Sequence, residues 1–377
     1  MIRPASFVKL TSIYILLCLF LIDLSLILKL FGMPYRDLLI FIAFPSLIMG
    51  TLFQMYPTLQ GIRIRWEWLT YLYLLLTFIN LFFLLWKSHI SWILFMPFGF
   101  LGLFFLILNT KNLKDPVVIF FFLGGLYFAL SGIFMFMKLS PGLIKHTLTT
   151  GLFMNVIIGA YYVFVPMLQI EEIKHRKAIW WILILYNLPL PVFLYGWYRS
   201  NFALIAYSGL LMLLSLLLLT LVLYMSLLQR RSPLKGLDIS VQYLTLGLFM
   251  LVFFMAVGIA SAGSGNYGLM GWHWDGMLYG FLTFITVGAS YHIVPFLLWW
   301  RLYAPKMGRQ SIPTLKELLS QEIPQRFLFA GIPSLTFALI TEAFNPSLSK
   351  PFYFAFFLVN CYYTLKLLPL AYRSLTT

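Results

Sequence analysis

Residues 202–228 read FALIAYSGLLMLLSLLLLTLVLYMSLL, an unbroken apolar run without a single charged side chain. As an α-helix such a run extends about 40 Å, more than the roughly 30 Å of hydrocarbon in a bilayer. It is apolar on every side, so neither a water-facing stripe nor the two-residue alternation of a barrel strand can be drawn through it. It reads as a membrane-spanning helix, and the chain repeats the pattern outward from it. Before it lie runs at 7–31, 38–57, 67–86, 90–109, 116–137, 143–167 and 178–198, and after it runs at 240–262, 272–300, 325–344 and 351–371, with polar or Pro/Gly-containing joins between them. The expectation is an all-α integral membrane protein of about twelve transmembrane helices, residues 1–377 forming one polytopic domain. Composition agrees: 62% hydrophobic and 10% charged residues, with a mean hydropathy of +0.92, lie outside the range of soluble domains.

The first run is longer than the apolar core of a secretory signal and lacks an A-x-A-like cleavage site, so it is read as a retained helix. The net charge of +15 is scattered through short loops and forms no arm or patch suited to nucleic acid, which is not expected as a partner. Assigned to the nearer membrane face, 19 of the 26 Lys and Arg fall on the face of the N-terminus and 7 on the other. The excess of basic residues on cytoplasmic loops then puts both termini in the cytoplasm, in the inner membrane of a prokaryote. Cys18 and Cys361 lie in the first and last spans with no CxxC or CxxCH, so neither a cysteine metal site nor covalent heme attachment is expected.

Three spans share the pattern Gly-x-x-aromatic-x-x-x-Pro near their C-terminal ends: Gly50, Phe53 and Pro57 in span 2; Gly159, Tyr162 and Pro166 in span 6; Gly288, Tyr291 and Pro295 in span 10. Recurrence in every fourth span predicts three four-helix arcs, approximately 1–112, 113–236 and 237–377, around a pseudo-threefold axis.

Intramembrane polar groups are the places to look for chemistry, because hydrocarbon tolerates them only when they are satisfied or used. His89 and His175 fall in loops, His146 opens span 6, and His273 and His292 lie near the two ends of span 10. His146 stands 13 residues before Gly159 and His273 stands 15 before Gly288, which puts the two at similar depth and able to face one another. For each imidazole, a hydrogen-bonded interfacial role and a ligand role are both open. Asp275 is expected to reach interfacial water in preference to a basic partner on another helix. Asp23 and Glu342 are candidates to mark a proton path, but both are expected near enough to helix ends to meet polar solvent and no continuous relay can be drawn. The join 304–325, with its segment Ser311-Ile-Pro-Thr-Leu-Lys-Glu-Leu-Leu, is read as a connector, with a short surface helix as the other reading.

Spans 6 and 10 resemble the catalytic subunit (subunit I) of the heme-copper oxidase superfamily, most closely the C-type, cbb-type branch, which also has twelve helices in three arcs. His146-Thr-Leu-Thr-Thr-Gly151 through Gly159, Tyr161, Tyr162, Phe164, Val165 and Pro166 is similar to the family's sixth helix, whose His is a copper ligand. His273-Trp-Asp275-Gly276 through Gly280, Gly288, Ala289, Tyr291, His292 and Pro295 is similar to its tenth helix, which begins with an H-x-H pair. By that resemblance His273 is the axial ligand of a heme iron, and His146 lies on the distal heme side or remains from a copper site. The chain also departs from the pattern. Asp275 replaces the second His of the pair, which in the family binds the low-spin heme. Span 2 begins Pro34-Tyr35-Arg36-Asp37 where the partner His is expected. After Pro189-Leu190-Pro191 come Val192-Phe193-Leu194-Tyr195 in place of two copper-binding His. A low-spin heme and copper are therefore not expected, since one imidazole does not hold copper tightly and these spans carry no Glu cluster of the kind found in nitric oxide reductases.

Three function classes remain. The first is a divergent oxidase-like protein that binds one non-covalent b-type heme through His273, with His146 beside it, for gas binding, sensing or electron transfer, with a diatomic gas and respiratory-chain subunits as partners besides the lipid bilayer. The second is a metal-free structural or accessory subunit of a respiratory or metal-handling membrane complex. The third is an active redox enzyme with an altered metal site, or a transporter.

Overall fold

In the computed structural model, residues 10–86, 90–231, 236–266, 268–308 and 311–376 are described, and every regular element among them is helical. Eleven helices have the length and apolarity to cross a bilayer: α1 Thr11–Leu30, α2 Arg36–Leu59, α3 Trp68–Leu85, α5 Pro116–Phe136, α6 Pro141–Gln169, α7 Ala178–Tyr198, α8 Phe202–Leu228, α9 Ile239–Ser264, α10 Gly268–Leu302, α11 Glu322–Phe344 and α12 Pro346–Ser374. A further apolar helix, α4 Ile90–Leu108, stands at the fourth expected position. The chain is a multi-pass membrane protein in a lipid environment. Its side chains are distributed accordingly: Phe329 is 82% and Tyr207 73% exposed, whereas Thr77, Asn80, Ser131 and Asn155 are buried. Burying polar groups and exposing large apolar ones suits a hydrocarbon solvent.

Helix starts follow local chemistry. Asp115 accepts a hydrogen bond from the Val117 amide ahead of Pro116, and Ser140 accepts one from Leu143 ahead of Pro141. These side chains satisfy amides that the first turn leaves free, and proline at the first helical position has no amide to satisfy. In the join after α10 the described residues form a 3-10 turn at Ala304–Lys306 and a single α-helical turn at Leu315–Leu318, the latter closed by a capping box between Thr314 and Glu317.

Packing groups the helices into two units. Of the described residues, the first holds those within 51–237 and 251–274, and the second those within 10–50, 238–250 and 275–376. The boundary in α10 falls between Trp274 and Asp275.

Within these units the three-part repeat has a structural counterpart. In the second unit Gly50 of α2 lies against the Tyr14 ring of α1, and Gly288 of α10 against Tyr243 of α9, where an added Cβ would come within 2.5 Å of the Tyr243 Cβ. In the first unit Gly159 of α6 lies against Phe121 of α5, where the same atom would meet the ring at 2.7 Å. Each repeat glycine thus admits an aromatic ring from the preceding helix, a close approach that no larger residue allows. Each repeat also contains a π-helical stretch upstream of its glycine: Leu39–Ala43, Thr147–Phe153 and Gly276–Leu282. In α6 the hydroxyls of Thr147, Thr149 and Thr150 take the carbonyls of Leu143, Lys145 and His146, and in α10 Thr283 reaches back five residues to Leu278. Such side-chain bonds satisfy carbonyls that the widened turn leaves outside the regular ladder.

Candidate functional site

His146 and His273 both belong to the first unit. His146 ends the first α-turns of α6, immediately before its π-helical stretch, and is 7% exposed. Its Nδ1 lies 2.8 Å from the Gly142 carbonyl. Its ring stacks on Trp197 at 4.1 Å and 18°, meets Phe193 edge-on at 5.7 Å and packs on Trp274 at 5.2 Å. His273 places Nδ1 2.7 Å from the Phe254 carbonyl and packs on the same Trp274 indole at 5.6 Å. Gly258 provides the space, since a Cβ there would lie 2.6 Å from His273 Nδ1. A carbonyl can only accept, so Nδ1 carries the proton in both rings and Nε2 keeps the lone pair, the tautomer that a metal-ligating histidine uses. Two buried indole N–H groups nearby, those of Trp197 and Trp272, have no acceptor among the described residues. A group with acceptor atoms would satisfy them.

Both rings thus hold the tautomer of a ligating imidazole, and Trp274 packs against both. Phe193, two residues after Pro191, presents the apolar ring that meets His146 edge-on. Among the described residues no three His, Cys, Asp or Glu side chains converge as a metal-ligating set.

Depth and register differ in an instructive way. The two histidines share Trp274, but the residue of α10 equivalent to His146, 13 before the repeat glycine and directly before the π-helical stretch, is Asp275. Asp275 belongs to the second unit and, two residues after His273, points about 200° around the helix from it.

Asp275 corrects a sequence expectation. It does not reach interfacial water: its side chain is 0% exposed and it accepts from Lys29 Nζ at 2.6 Å, Tyr35 OH at 2.5 Å and Arg36 Nε at 3.2 Å. Lys29 also binds Glu342 at 2.7 Å, and Tyr353 OH donates to the other Glu342 oxygen at 2.5 Å. Glu342 is therefore held in a four-charge network and is not simply solvated. A carboxylate without water needs cations and donors on both oxygens, and this arrangement supplies them. The network thus ties Tyr35 and Arg36 at the start of α2 to Asp275 on α10.

Asp23 also departs from expectation. It is 7% exposed and bonded to Asn360 and Thr364 of α12. His292 stacks on Phe296 at 6.0 Å, and His175 lies in the loop after α6. His89 lies outside the described residues. The aromatic box of His146 and the Asp275 network were not legible from spacing. Their only sequence signals were the tryptophans at 197, 272 and 274 and the charges of Lys29 and Arg36 at facing helix ends.

No family model matches the chain. It is similar to an uncharacterized protein of Aquifex aeolicus (strain VF5), 28% identical over 311 residues, an alignment covering 79% of this chain and 80% of that one.

Proposed function

We propose that this is a divergent membrane protein on an oxidase subunit I-like scaffold that binds one non-covalent b-type heme through His273, with His146 on the distal side, for gas binding, sensing or electron transfer. The observation that carries the reading is the matched pair of imidazoles on one indole, each with Nδ1 tied to a backbone carbonyl at 2.7–2.8 Å, the tautomer whose lone pair is on Nε2. The acceptor-less indole N–H groups of Trp197 and Trp272 support it, since heme carboxylates are acceptors. When bound, such a heme supplies an iron able to exchange one electron and to bind a diatomic gas. The chain's own contribution is to hold the imidazole tautomers, to surround them with aromatic rings and to exclude water. Copper and a second heme are not part of the reading. The excess of Lys and Arg on one face supports an inner membrane of a prokaryote with both termini cytoplasmic, where respiratory-chain subunits are available partners.

One observation favours a second reading, a metal-free structural or accessory subunit: Trp197 covers one face of His146 at 4.1 Å, so aromatic packing alone satisfies that ring. A reduced-minus-oxidised optical spectrum of the detergent-purified protein, with a pyridine hemochrome assay, separates the two. A b-type spectrum near one heme per chain, lost in His273→Ala, is the expected result. A colourless protein from cells supplied with ample heme overturns the heme reading in favour of the second.

A further inference from the structure

Asp23 is the thirteenth residue of the 20-residue helix α1, about 18 Å along an element about 30 Å long, so it sits near the middle of the span. Both carboxyl oxygens are engaged by neutral donors on α12, Oδ1 by Asn360 Nδ2 at 2.7 Å and Oδ2 by Thr364 Oγ1 at 3.0 Å. Among the described residues no Lys, Arg or His lies within ion-pair distance of it, and Lys29, six residues further on, is committed to Asp275 and Glu342. The cations on the packed helices are placed elsewhere: Lys366 of α12 lies over the Tyr362 ring at 5.7 Å, Lys350 and Arg373 stand toward the ends of that helix, and Arg301 of α10 donates to the Ser374 carbonyl. The titratable groups Cys361 beside Asn360, Tyr363 bonded to Ser290, Tyr279 bonded to Ser25 and Cys18 near Thr286 are not cationic. A carboxylate so placed forfeits hydration that two neutral hydrogen bonds return only in part.

Two details of the partners point to what the carboxyl does. The Thr364 hydroxyl has one proton and two acceptors, Asp23 Oδ2 and the Asn360 carbonyl, each at 3.0 Å. With Asp23 ionised, that proton turns to the carboxylate. With Asp23 protonated, the carboxyl donates to Thr364 Oγ1 and the hydroxyl turns back to the Asn360 carbonyl, a bond threonine readily makes in helices. Independently, Asn360 is 0% exposed and its Oδ1 has no donor. Turned over, the amide would offer that oxygen to a protonated Asp23.

We propose that Asp23, Asn360 and Thr364 form a proton-binding site in the middle of the membrane, with the Thr364 hydroxyl as the rotor that satisfies both the loaded and the unloaded state. A proton fits where a metal cation does not. A hard cation takes about six oxygen ligands, and beyond the carboxylate the site offers one hydroxyl and one amide oxygen. The site uses no residue of the heme reading and stands or falls separately from it.

The test uses the full-length protein in liposomes, treated with dicyclohexylcarbodiimide, which adds to protonated carboxyls in apolar surroundings, followed by peptide mass spectrometry across a pH series. The expected result is an adduct on Asp23 that declines as pH rises, is absent in the isosteric Asp23→Asn, and is unchanged by sodium. Thr364→Val shifts the pH at which the adduct declines, and Thr364→Ser restores it. An infrared pH-difference spectrum gives a second readout, a carboxylic-acid carbonyl band lost in Asp23→Asn. Absence of any Asp23 adduct at every pH, protection by sodium at fixed pH, or an unshifted profile in Thr364→Val would each overturn the proposal, the second in favour of a cation site.

Discussion

The same register position carries His146 in α6 and Asp275 in α10, each directly before a seven-residue π-helical stretch, and the two live in opposite surroundings. His146 sits in a box of Trp197, Phe193 and Trp274, and Asp275 in a net of Lys29, Arg36 and Tyr35. An imidazole can be neutral, so one carbonyl for Nδ1 and aromatic faces for the ring suffice. A carboxylate in the same backbone setting must be met by charge on both oxygens. Equivalent backbone geometry therefore leaves the chemistry to the residue type, and the residue type dictates what the neighbouring helices bring.

That contrast can be tested by breaking each side. The largest effect is on the cofactor: His273→Ala abolishes the heme spectrum, while Asp275→Asn, on the other face of the same helix, retains it. Equal loss in both variants would mean that the two faces are not independent. Next, Lys29→Met leaves Asp275 and Glu342 facing each other without their shared cation and lowers stability by about 3–5 kcal/mol, read from thermal unfolding in detergent, with part of the loss recovered by adding Asp275→Leu. A melting temperature unchanged from the native one would show that the network does not carry these charges. Gly159→Ala and Gly288→Ala each force a ring aside and cost about 1–3 kcal/mol. Similar values in both variants sharpen the structural equivalence of the repeats, and widely different ones break it. Smallest is Ser25→Ala, which removes the bond to Tyr279 beside the charged network and costs about 0.5–1.5 kcal/mol by the same assay.

Much of this was readable beforehand, and the reason differs by element. Phe202–Leu228 begins and ends where the apolar run does, because lipid enforces length and polarity directly on the chain. The repeat of Gly50, Gly159 and Gly288 was visible as spacing, and their close-packed rings Tyr14, Phe121 and Tyr243 follow from the small residue. His146 and His273, which spacing allowed to face one another, both pack on Trp274. Asp275 was misread because its partners lie 246 and 239 positions away, and spacing along one helix carries no information about such neighbours. Asp23 was misread because its side-chain partners stand on the last helix of the chain.

The amino-acid sequence by itself determined that the chain is a helical membrane protein, where its spans run, and that three of them repeat one pattern. These follow from the cost of placing an unpaired backbone amide or a charge in hydrocarbon, a local quantity that each segment meets alone. Only the tertiary structure decided which imidazole is boxed by indoles, which carboxylate is neutralised by lysine and arginine, and which one is left with neutral donors. Those depend on helix ends that meet across hundreds of residues, where charge pairing is set by proximity in space.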